Sequence, residues 1–123
     1  MKKIILIADD EPSIRLLVSG MLGKDYTVLE ANNGAEAIDV INLQRPDLIL
    51  MDIMMPKVDG YTACSRIKAD QETKGIPIIM LTGVGHELNK RLSQEIGADG
   101  YITKPFSLPE LREKIGELLA VQK

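Results

Sequence analysis

Leu48-Ile49-Leu50-Met51-Asp52 is a run of four large apolar residues closed by an acid, and Ile53-Met54-Met55-Pro56 and Asp59-Gly60 follow it. A short, unbroken apolar run with turn-forming residues behind it suits a strand of a parallel sheet, buried on both faces, better than a half-exposed strand, which would alternate. Similar runs lie on either side: Ile4 to Ala8, Thr27 to Ala31, Pro77 to Leu81 and Gly100 to Thr103. Helical spacing fills the intervals. Ile14, Leu17, Val18, Met21 and Leu22 recur on one face despite the internal Gly20, as an amphipathic helix requires. Ala37, Ile38 and Ile41 mark a second helix after Asn33-Gly34, and Tyr61, Cys64 and Ile67 a third beginning near Asp59-Gly60. Leu88, Leu92 and Ile96 suggest a fourth. The fifth, from Ser107 to about Val121, opens with the capping pair Ser107 and Glu110 and carries Pro109 in its first turn, with Leu111, Ile115, Leu118 and Leu119 along one stripe.

Strand and helix alternating five times predict an α/β domain of (βα)5 type, a doubly wound five-stranded parallel sheet with helices on both faces. Residues 1–123 fit one domain, since single domains cluster at roughly 100 to 150 residues. The common five-stranded order 2-1-3-4-5 sets strands 1 and 3 side by side at the switch point, where ligands bind in such sheets. Apolar residues make up 45% and charged residues 27%, enough for a core that needs no covalent staples. A single cysteine, Cys64, cannot pair within the chain and reads as a buried small hydrophobe. No apolar run reaches the ~20 residues of a membrane span, and the run after Met1-Lys2-Lys3 is too short for a signal peptide. The reading is therefore cytoplasmic, with no membrane partner. A net charge of −3 gives no basic footprint for direct contact with nucleic acid.

Four of the five strands end in residues suited to phosphoryl transfer: Asp9 and Asp10 after the first, Asp52 at the third, Thr82 after the fourth and Lys104 after the fifth. The second ends blandly at Glu30-Ala31. In the expected order it is the edge strand beyond strand 1, where the site most easily does without a contribution. Three carboxylates converging on one edge repel one another, which raises a pKa or draws in a cation. Oxygen donors without His or Cys favour a hard ion such as Mg²⁺. Taken alone, Asp9-Asp10-Glu11-Pro12 would be read as the cap of the next helix. An Asp such as Asp52 can act as a nucleophile and form an aspartyl phosphate. Lys104 stands about two strand spacings of ~4.8 Å away, a gap its long side chain can span toward a phosphoryl group.

Asp9-Asp10-Glu11-Pro12, Met51-Asp52-Ile53-Met54-Met55-Pro56 with Asp59-Gly60, Leu81-Thr82-Gly83, and Gly100-Tyr101-Ile102-Thr103-Lys104-Pro105-Phe106 together resemble the receiver domain of two-component response regulators, over the whole chain. The resemblance implies a signalling switch rather than a turnover enzyme, in which Asp52 accepts phosphate from a histidine kinase or histidine phosphotransfer protein. It implies that Asp10 binds Mg²⁺ directly, Asp9 mostly through water, and that the Met54 carbonyl completes the protein ligands. Thr82 and Lys104 would hold the phosphoryl oxygens. Tyr101 would be the aromatic switch, turning inward with Thr82 and reshaping, for a downstream protein target, the face formed by the fourth helix, the fifth strand and the fifth helix. A cis bond before Pro105 is also implied.

Particular positions qualify what the resemblance implies. Gly83 stands where the family more often has Ala. Met54 and Val84 occupy positions that tune dephosphorylation, and neither side chain can orient a water, which predicts a long-lived phosphoryl group. His86 reads as a surface side chain. A chain ending just after its fifth helix is expected to act as a stand-alone receiver, as a monomer or weak dimer. Two other classes compete. A flavodoxin-like cofactor binder shares the architecture, but needs a phosphate loop where Asp9-Asp10-Glu11 stands and would repel an anion. A haloacid-dehalogenase-like phosphatase carries its nucleophile after strand 1 instead of strand 3.

Overall fold

The computed structural model describes residues 2–83, 91 and 94–120. Five strands, β1 (Ile4–Ala8), β2 (Thr27–Ala31), β3 (Leu48–Asp52), β4 (Ile78–Thr82) and β5 (Gly100–Thr103), form one parallel sheet in the order 2-1-3-4-5. Among the described residues four helices accompany them: α1 (Pro12–Leu22), α2 (Gly34–Leu43) and α3 (Gly60–Ala69) between strands, and α4 (Leu108–Ala120) after β5. The helix expected through Leu88 and Leu92, and the readings of Val84 and His86, lie outside the described residues. No helix among those described is long and apolar enough to cross a membrane.

Three of the four described helices begin where the sequence supplies a side-chain cap. Asn33 accepts the Glu36 amide at 2.8 Å, Asp59 accepts that of Thr62 at 2.8 Å, and Ser107 Oγ accepts that of Glu110 at 3.2 Å, with the Glu110 carboxylate accepting the Ser107 amide in return. Helix α1 differs: its cap, Glu11, makes no side-chain bond to the helix, and Pro12 instead starts it with a fixed φ.

Alternation along the strands sorts the core into two layers. Ile5, Ile7, Leu48, Leu50, Ile79, Leu81 and Ile102 pack against Val18 and Leu22 of α1 and Leu111 and Ile115 of α4. Leu6, Ala8, Ile49, Met51, Ile78 and Met80 pack on the other face against α2 and α3, where Cys64 is buried. Burial pushes the Cys64 thiol up to about 11, so it is an unreactive core residue. Leu17 is 46% exposed although it lies on the α1 stripe, because the sheet covers only the arc carrying Val18 and Leu22.

Candidate functional site

The register decides what meets at the carboxyl edge. Ala8 pairs with Met51, and Asp9 continues the ladder by donating its amide to the Ala31 carbonyl at 3.0 Å. Asp9 therefore stands level with Asp52. By the same alternation that places Ile5, Ile7, Leu48, Leu50 and Ile102 on one face, Asp9, Asp52 and Lys104 all leave the edge on the side of α1 and α4. The side chains meet there. Lys104 Nζ donates to Asp9 Oδ2 at 2.9 Å and to Asp52 Oδ1 at 3.2 Å. The Lys104-Pro105 peptide bond is cis.

Asp9 is fully buried, and its second oxygen accepts the Glu11 amide at 2.9 Å. Asp52 is 6% exposed. Asp10 is exposed, and its side chain makes no hydrogen bond or ion pair with the described residues. Even so, Asp9, Asp10 and Asp52 each offer a carboxylate oxygen within 4.8 Å of the others, without His or Cys. That donor set suits a hard divalent cation. Met54 follows on the loop after β3, its side chain 79% exposed, and with Asp10 it borders an open cleft of about 590 Å³.

Thr82 ends β4 one residue further along than Asp52, whose partner in the ladder is Leu81. It is buried and belongs by alternation to the opposite face, with Ile78 and Met80. Tyr101, paired with Met80, is half-buried against that same layer. Gly83 is exposed, with open space where a Cβ would stand.

Burial is the largest influence on Asp52, and with the charge of Asp9 it outweighs the pull of Lys104, so the carboxyl is pushed up to about 6 from 3.8. Burial also pulls the Lys104 ammonium down most strongly, but its bond to Asp9 and the charges of Asp52 and Asp9 prevail and raise it, so it remains a cation. A carboxyl raised on folding stabilises the fold below its ordinary value near 4, and that contribution is lost as pH rises through about 6. In chelator, Asp52→Asn is expected to raise stability at pH 7.5 by up to about 3 kcal/mol, at 1.36 kcal/mol per unit. The gain should shrink to almost nothing by pH 4. Urea unfolding at both values checks this, and an equal gain at both would contradict it.

Reasoning from sequence missed two residues. Arg15 of α1 donates from Nη1 to the Asp9 carbonyl at 2.7 Å and from Nε to Glu30 Oε1 at 3.2 Å. Ser19 holds the other Glu30 oxygen at 3.3 Å. Strand β2, which ends blandly as sequence, thus reaches the site indirectly.

The model of the response regulator receiver domain matches residues 5–116. The DNA-binding dual master transcriptional regulator RpaA of Synechocystis sp. is 42% identical over 116 residues, which are 94% of this chain and 48% of RpaA. The chain spans about half the length of such curated relatives. Among solved structures, the receiver domain of a signal transduction histidine kinase from Syntrophus aciditrophicus is 35% identical with a TM-score of 0.91, covering 98% of this chain and 92% of that one. The receiver domain of the sensor histidine kinase PA1611 from Pseudomonas aeruginosa, solved with a magnesium ion in its active-site cleft, is 30% identical with a TM-score of 0.90, covering 98% and 99%.

Proposed function

The chain belongs to the receiver-domain family of two-component response regulators, and from that premise we propose that it is a switch set by Mg²⁺-dependent phosphorylation of Asp52. One observation carries the assignment of the site: Lys104 joins two buried carboxylates, Asp9 and Asp52, beside a third, Asp10, at the switch point of the sheet. The three acids fit Mg²⁺, with the Met54 carbonyl as a further oxygen ligand. When bound, the ion neutralises charge on the phosphoryl oxygens during transfer.

An ionised Asp52 oxygen attacks the phosphorus of a phosphohistidine on a histidine kinase or histidine phosphotransfer protein. The O–P bond forms, the P–N bond breaks, and the electron pair remains on the imidazole nitrogen of the donor. Above about pH 6 the nucleophile is ionised without help from a base. Lys104 turns its ammonium from the carboxylates to the new phosphoryl oxygens, and the Thr82 hydroxyl, one residue further along the edge, donates to another. Thr82 and Tyr101 share one face of neighbouring strands, which supports a linked shift of the two toward a downstream protein target. Phosphorylation biases that shift only by interacting better with one arrangement than the other.

Treating the protein with acetyl phosphate and Mg²⁺ and measuring its intact mass tests the proposal. One added phosphoryl group is expected, absent with chelator. No addition, or addition that persists in Asp52→Ala, overturns it.

A further inference from the structure

We propose that Arg15 and Glu30 are positioning residues that set the Mg²⁺ affinity of the acid cluster through the Asp9 carbonyl. The inference rests on the reading of Asp9, Asp10 and Asp52 as the ion's ligands. Its starting point is the contrast between the two neighbouring acids. Every polar group of Asp9 is held: the amide by Ala31, the carboxylate by Glu11 and Lys104, the carbonyl by Arg15. Asp10, by contrast, has no side-chain partner among the described residues, where its backbone alone aims it.

The backbone that aims Asp10 is the peptide unit whose oxygen Arg15 grips at 2.7 Å. Arg15 is itself fixed. Its side chain is only 18% exposed and is oriented by Glu30, which Ser19 braces from the same helix. A strut therefore runs from the end of β2 across α1 to the Asp9-Asp10 peptide. Groups that orient metal ligands from behind typically change affinity by 10 to 100-fold when removed.

The sign of the effect separates positioning from simple charge. A cation near three carboxylates opposes a second cation, so by charge alone Arg15→Ala would tighten Mg²⁺ binding. Positioning requires the reverse. Mg²⁺ titrations followed by amide NMR and by calorimetry, on the whole chain without phosphodonor, should show Arg15→Ala binding about 10-fold more weakly than the parent. Glu30→Ala should weaken it less, and should have no further effect in the Arg15→Ala background, since its action passes through Arg15. Phosphoryl uptake at saturating Mg²⁺ should fall far less than the affinity does, because the strut touches neither Asp52 nor Lys104.

Unchanged or tightened binding in Arg15→Ala overturns the proposal. So does weakened binding in which the two substitutions add independently, or which tracks a loss of urea stability in chelator, since either marks a general structural role. A parent protein that binds no Mg²⁺ would instead overturn the metal reading, which the parent titration reveals on its own.

Discussion

Lys104→Met is expected to slow phosphoryl uptake at least about 100-fold, the loss typical of removing one preorganised charge from a transferring group. Methionine keeps most of the packing of the lysine stem and removes only the ammonium. In the unphosphorylated protein that ammonium lies 2.9 Å from Asp9 and 3.2 Å from Asp52. Asp9 is fully buried, so stripping its counter-charge should also cost about 3 kcal/mol at neutral pH in chelator, the range for breaking a buried pair. The deficit should narrow as pH falls through about 6, because Asp52 can then take up a proton and end the repulsion. Added Mg²⁺ should recover part of it by mass action. Single-turnover uptake from acetyl phosphate and urea unfolding measure the two effects. A rate within a few-fold of the parent would remove Lys104 from the reacting group.

Gly60→Ala is expected to destabilise the fold by about 3 kcal/mol, at the upper end for forcing an extra carbon into a packed site. A Cβ at this position would overlap the Asp52 carbonyl oxygen and lie 2.9 Å from Ile53 Cα. Both neighbours are backbone, so no side chain can swing aside. The Gly60 amide also donates to the Ile53 carbonyl at 2.8 Å, fastening the start of α3 to the end of β3. Relief would have to move the peptide that carries Asp52, the proposed nucleophile, and phosphoryl uptake should fall with stability. A urea midpoint equal to the parent would show that the two segments separate more easily than their hydrogen bond suggests.

The sheet was legible because strands covered on both faces are apolar throughout, and four of the five match their expected limits. The exception is β4, expected from Pro77 to Leu81 and found at Ile78–Thr82. Hydropathy ends at the hydroxyl of Thr82, whereas the ladder continues to Thr103. Helix starts were legible where Asn33, Asp59 and Ser107 could accept an amide. Asp9, Asp52 and Lys104 were legible as residues closing apolar runs. Arg15 and Glu30 were not. Fifteen positions apart, on a helix and an edge strand, they look in the sequence like ordinary solvated charges, and only the placement of α1 over the β1 and β2 ends brings them together.

Sorting the core into two layers has a consequence for how the molecule could be altered. Asp9, Asp52 and Lys104 leave the edge on the side of α1 and α4, while Thr82 and Tyr101 belong to the side of α2 and α3. On the proposed function, receipt of the signal and its broadcast are thereby divided by the thickness of one sheet, and a phosphoryl group on Asp52 would reach past the strand ends to both. On that reading, substitutions around Asp9 and Lys104 bear first on receipt and those around Tyr101 on broadcast, while Thr82, which donates to the phosphoryl group from the second side, serves both.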